Sequence, residues 1–347
     1  MSKPNDVKAE SESKDIANTL QDKLAEKMMG LFELVVSDRS AHFVKHPDKI
    51  PDKKSVSSII NSYSVTNAAI SGGASLVPGP WGMVAVIPEI ATVIRNQLAM
   101  IYDVGMAYGK SKVLNKELLA GVLITAMGSS AGSLLVMHGS KVLVKRVALR
   151  TFQQIVAMLA GKITQQALKS AISKWLPGVG AAAMAVWSNY LTQQVGKKAI
   201  EIFEKEIVLS EEIIEEMPLE TESVSPPASI ISPDVPKVQT LVNLIKVDGA
   251  IKAEEREYLQ TIISNADLTE SERADLIQAI DKSGKFAVDY SVFASSPDDA
   301  VGLLIDMVAL AKRDGTFHVT EKMFVKQVGK LLGFSDSDID DTMATTG

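Results

Sequence analysis

The sequence predicts an all-α protein, and three observations carry that prediction. Aromatic residues make up only 5% of the chain, while Ala, Leu, Ile, Val and Met are plentiful and Gly reaches 22. That composition suits closely packed helices better than a β-sandwich. Apolar residues recur at helical spacing, as in Ile16, Leu20, Leu24, Met28 and Leu31, and again in Ile90, Val93, Ile94, Leu98, Ile101 and Gly105. Towards the C-terminus, a unit of helix, Asp-Gly turn and helix is written twice, offset by 66 residues.

Taken in order, residues 1–14 read as a solvated tail. Residues 15–54 hold an amphipathic helix from Asp15 to Val36, then the breaker stretch HPDKIPDKK, whose two prolines and charges argue for an exposed loop. Residues 55–206 form a Gly-rich, apolar helical domain with three stretches free of Asp, Glu, Lys and Arg: Ser55–Pro88, Leu118–Ser140 and Trp175–Gly196. Each is long enough to cross a bilayer on length alone. Each is also interrupted, by Pro78 and Pro80, by GSSAGS and by SNYLTQQ, and Gly and Ser at this density equally permit tight packing in a bundle. LVPGPWGMVAVIPEI and WLPGVGAAAMAVWSN echo one another faintly, and Pro88 and Glu89 look like the first-turn residues of a helix. Residues 207–236, acidic and rich in Ser and Pro, read as an extended linker after a short helical start, and 237–347 as a small bundle of two pseudo-repeats.

Charge is divided unevenly. Between Asp38 and Glu206 there are 19 Lys and Arg against 9 Asp and Glu, leaving 17 basic and 33 acidic residues elsewhere. A basic, apolar segment is what a surface of anionic lipid attracts. Lys141, Lys145, Arg146 and Arg150 follow the second uncharged stretch at spacings that put them on adjacent helical faces, among lipid headgroups or in solvent. Nucleic acid is not an expected partner, because few aromatics interleave with these charges. With no cysteine, disulfides, thiolate nucleophiles and Cys-based zinc sites are excluded, and the polar N-terminus is no signal peptide. The expected location is cytoplasmic, or the cytoplasmic face of a membrane.

The doubled unit contains DGAIKAEE (248–255) and DGTFHVTE (314–321), which match the second half of a calcium loop, from position 5 to position 12. Positions 1 and 3 would be Leu244 and Lys246, and Leu310 and Lys312, so apolar groups and cations stand where carboxylates belong. A structural reading needs no metal. Gly249 and Gly315 supply positive φ, Ile251 and Phe317 enter the core, and Glu255 and Glu321 sit where a carboxylate satisfies the free N–H groups of the next helix. The functional reading joins Asp248, Glu254, Glu255, Asp314 and Glu321 in a shared acidic patch for a weakly bound calcium or magnesium ion; no other cofactor is expected.

GMAYGKS (105–111) fails as a phosphate loop, since its first Gly is one residue too close and a helix precedes it where a strand is needed. His42 and His46 have the spacing of a metal pair, but Pro47 adjoins them and no third ligand is evident. No nucleophile, base and orienting group can be placed together, so no enzyme activity is expected.

Two segments resemble known families. VIRNQLAMIYDVGMAYGKS and KWLPGVGAAAMAVWSNYLTQQVGKKAIEIF make residues 60–205 similar to the helical domain at the membrane end of YcjF-type bacterial proteins, and more loosely to EcsC proteins. That resemblance implies membrane association and no reaction. LIKVDGAIKAEEREYL and ALAKRDGTFHVTEKMFVKQVGKLLGFSDSDID resemble the two halves of the tellurite-resistance TerB-like helical domain, some members of which are associated with divalent metal ions. The resulting expectation is a non-enzymatic, membrane-associated adaptor or stress-response protein. Its partners would be anionic lipid and a protein bound by the C-terminal domain; the alternative is a soluble, divalent-metal-responsive module.

Overall fold

A helix opens the chain and runs from Pro4 to Lys45 (α1) before the polypeptide turns at Pro47. The structure, a computed structural model, describes residues 4–74, 87–127, 134–170, 180–216, 233–247, 249, 251–266, 268–282, 284–293 and 297–345. Residues 4–14, expected as a tail, are the first turns of α1. Pro at the first helical position lacks only an N–H that would be unbonded anyway, and the next breaker, Gly30, lies far downstream. The stretch from Pro47 is exposed, with Asp52 accepting from Ser55 N at 2.9 Å.

The following elements are α2 (Val56–Ala74), α3 (Ile87–Ala107), α4 (Lys116–Ala126), strands β1 (Leu135–His138) and β2 (Lys141–Val147), α5 (Leu149–Ser170), α6 (Gly180–Phe203) and β3 (Glu206–Ile214). Then come α7 (Asp234–Ile245), α8 (Ala253–Asn265), α9 (Glu270–Asp281), α10 (Pro297–Ala311), α11 (Val319–Leu331) and α12 (Asp336–Thr345). The fold is helical, as the composition predicts, with one minor sheet. The chain divides into two compact units, Met1–Ala171 with Leu191–Ser223, and Ile172–Tyr190 with Val224–Gly347.

In the first unit α1 packs on α3 and α5, and α2 on α3. Leu24, Met28 and Phe32 of α1 are at most 1% exposed, and the Phe32 ring meets Phe152 of α5 edge-on at 5.4 Å. The stripe on α3 is buried as its spacing predicts, with Leu98 and Ile101 fully enclosed. Asp103 on the same helix is held by Arg39 at 2.6 Å and by the Tyr63 hydroxyl at 3.0 Å, which compensates a carboxylate that burial otherwise penalises. GMAYGKS ends α3 in a glycine cap: Gly109 has φ +70, and Lys110 N donates to Gly105 O at 2.9 Å.

Where they are described, the uncharged stretches are interior in part, although Val65 and Met137 are exposed. Leu118, Leu119, Val122 and Leu123 are buried, as is Val195, and among the described residues no helix is long and apolar enough to cross a membrane. The Pro-Gly echo and GSSAGS lie outside the described residues.

The sheet corrects two expectations. Lys141, Lys145 and Arg146 stand on strand β2 and not on helical faces; KVLVKRV alternates with period two, and its β-branched residues favour a pleated, half-buried strand. Residues expected as a short helical start to the linker are strand β3, which pairs parallel with β2 while β1 pairs with β2 antiparallel. The core of the linker, residues 217–232, lies outside the described residues. Helices α5 and α6 make the long crossover that a parallel pair requires.

In the second unit α7, its turn and α8 are repeated as α10, its turn and α11. Leu241, Leu244, Leu259, Leu303, Leu310 and Val325 fill the common core, each at most 1% exposed.

Candidate functional sites

The first site is the pair of half-loops. Gly249 and Gly315 have φ of +83 and +79, a backbone region where a side chain is strained, so the doubled Gly is required by the turn. Glu255 accepts from Lys252 N at 2.9 Å and Glu321 from His318 N at 2.8 Å; each carboxylate closes a capping box at the start of α8 or α11. Both are 2% exposed. Ile251 and Phe317 are only half-buried, contrary to the core role expected of them, and the Phe317 ring lies between Lys312 and Lys322, whose ammonium groups are 6.0 and 5.2 Å from its centroid.

Asp314 carries the electrostatics of the site. Its Oδ1 accepts from Thr316 N at 2.8 Å, and its Oδ2 accepts from the Lys252 ammonium. Lys252, with help from the Thr316 amide, holds the Asp314 carboxyl down to about 2. Lys252 also lies 3.4 Å from His318 Nε2. These two residues are equivalent in the two repeats, so the copies meet at this point.

Glu254 is exposed, Asp248 lies outside the described residues, and no three His, Asp or Glu side chains among the described residues are arranged to hold a metal. Lys246, in the place of an EF-hand ligand, donates to the carbonyls of Ala279, Lys282 and Gly284 at 2.5, 2.8 and 3.1 Å and so closes the C-terminus of α9. Lys252 and His318 were not singled out in the sequence, although both stand immediately before the second helix of their repeat.

The second site is the outer face of the sheet. Its inner face is buried through Val142, Val144 and Val147 and rests on α4, where Gly121 leaves room for Leu135. On the other face Leu143 is 39% exposed and Val208, its partner in register, 38% exposed. Arg146 is in register with Ile213, which is 53% exposed. Lys141 pairs with Glu206 at 3.1 Å, whereas Lys145, Arg146 and Arg150 have no ion-pair partner among the described residues. Glu211 and Glu212 of β3 are exposed nearby along the same strand. The arrangement sets free basic groups among exposed apolar ones. The sequence supplied the basic residues, but the apolar members Leu143, Val208 and Ile213 were missed because the period-two alternation around Leu143 was read as helical.

No curated protein and no solved structure matches the chain. The family model described as Tellurite resistance protein TerB matches residues 238–344, the stretch that holds both half-loops, so the C-terminal part of this protein is TerB-like.

Proposed function

We propose that the protein is a non-enzymatic adaptor of the stress-response type that binds peripherally to the cytoplasmic face of a membrane. In this reading the first unit docks on anionic lipid, and the TerB-like unit is a protein-interaction module. The single observation that carries the docking is the sheet's outer face, where unpaired Lys145 and Arg146 stand among exposed Leu143, Val208 and Ile213. Basic groups attract an anionic surface within about a Debye length, and exposed apolar side chains add affinity at the headgroup boundary. The resemblance of residues 60–205 to the YcjF-type domain supports the same reading. The protein would lie on the membrane, since no described helix is long and apolar enough to cross it. In this reading Asp314 takes Lys252 as its counter-ion and the Glu255 and Glu321 carboxylates serve as helix caps.

The test is co-sedimentation of the full chain with vesicles of phosphatidylglycerol or of phosphatidylcholine at low and at high salt. Binding to the anionic vesicles alone, weakened by salt and by Lys145→Glu with Arg146→Glu, is the expected result. Equal recovery of wild type and double variant with the anionic vesicles would overturn the docking face.

A further inference from the structure

Beside the sheet, an open cleft of about 510 Å³ lies between α1, the start of α4 and the ends of β2 and β3. Its polar lining includes Glu33, Asn115, Lys116, Glu117 and Arg146, with Ile213 among its apolar residues. Most of these groups are already engaged. Glu33 and Lys116 neutralise each other at 2.7 Å, and Lys116 also lies 5.1 Å from the Phe152 ring centroid. The Asn115 side chain accepts from Leu118 N at 2.8 Å and caps α4.

Two charges remain. Glu117 is only 8% exposed yet has no hydrogen-bond or ion-pair partner among the described residues. Arg146 is exposed and equally unpartnered. The Glu117 carboxylate lines the cleft without a donor from the described residues, and an ammonium group, with three donors and a compact positive charge, is its complement. The guanidinium presents a planar fork matched to a phosphate or carboxylate, and the eleven-residue helix α4 adds the positive end of its dipole at the same cleft.

We propose that this cleft binds a small zwitterion, an ammonium group joined through a short spacer to an anionic group, with Glu117 taking the ammonium and Arg146 the anion. The balance of charges explains the selectivity. A simple anion meets Glu117, a simple cation meets Arg146, and a ligand carrying both signs satisfies the pair. A soluble amine phosphate and an ethanolamine phosphate headgroup of a lipid offer the same chemistry. The cleft shares Arg146 and Ile213 with the docking face, but the soluble ligand tests it without a membrane.

The experiment is calorimetric titration of the full chain with O-phosphoethanolamine, and separately with inorganic phosphate and with ethanolamine. Saturable binding of the zwitterion, about ten-fold or more tighter than of either half, is expected from one added charge-assisted hydrogen-bonded contact. Glu117→Gln should abolish the preference for the zwitterion over phosphate, with phosphate binding somewhat tighter because the repelling carboxylate is gone, and Arg146→Gln should remove both. No saturable binding of the zwitterion at millimolar concentration, or undiminished binding by both variants, overturns the proposal. If Glu117→Gln fails to fold, Arg146→Gln, at an exposed position, decides the question by itself. Phosphatidylcholine vesicles with and without phosphatidylethanolamine then separate the sources. Capture dependent on ethanolamine lipid and lost with Arg146→Gln assigns the lipid headgroup, and soluble binding without such capture assigns the free ligand.

Discussion

Lys252, just before α8, donates to the carboxylate of Asp314, in the turn before α11, and thereby joins the two repeats of the TerB-like unit through residues that no single repeat could bring together. The Asp314 side chain is 9% exposed and that of Lys252 is 33% exposed. At that burial the partner left behind by a deletion is the larger concern, since a carboxylate that loses its cation must be resolvated or protonated.

Lys252→Met is therefore expected to destabilise the protein by about 1–2 kcal/mol, read by urea denaturation of the C-terminal transition. The pH dependence has a definite sign. Because Lys252 lowers the Asp314 carboxyl to about 2, its contribution is complete above the ordinary carboxylate value of about 4 and fades as the pH falls towards 2. The stability gap between wild type and Lys252→Met should close over that window; a gap independent of pH would place the effect of the substitution elsewhere.

The helix caps make a separate prediction. Glu321→Ala removes the carboxylate that accepts from His318 N and should cost about 1 kcal/mol, whether calcium, magnesium or a chelator is present. Melting of the full chain with and without millimolar calcium or magnesium is the check. A saturable rise in Tm that requires Glu321 and Asp314 would instead assign these carboxylates to a metal.

Gly121 tests the seating of the sheet on α4. A Cβ at this position would stand 2.5 Å from Leu135 Cγ, and Leu135 is itself only 6% exposed, with little freedom to move away. Gly121→Ala should lower stability by about 1–3 kcal/mol through overpacking, despite the better helix propensity of alanine. An increase in the chemical denaturation midpoint would show that β1 yields.

Glu89 in the first turn of α3 has one carboxylate oxygen buried without a partner among the described residues, and desolvation raises its carboxyl to about 7. A raised carboxyl favours the protonated folded form. The first unit should therefore lose stability as the pH rises from the ordinary carboxylate range through 7, and Glu89→Gln should flatten that part of the profile. Thermal melts of the two proteins between pH 5 and 8 provide the comparison; parallel profiles would count against this assignment.

What the sequence determined by itself was local and periodic. Helical spacing identified the buried faces of α1 and α3, and the spacing of Gly and Glu in the doubled DG unit identified both turns and both caps, because a positive φ and an N-terminal carboxylate depend on only a few neighbouring residues. The TerB-like pattern was legible for the same reason, since it is carried by residues close together in the chain. Tertiary structure decided the rest. An uncharged stretch has the same composition whether it faces lipid or other helices, and only packing buried Leu118 and Leu123. KVLVKRV became a strand by pairing with a segment beyond two intervening helices, which set Arg146 in register with Ile213. Lys252 reached Asp314 only when the two repeats packed together, for the partner of a charge is fixed by distance in space and not by distance along the chain.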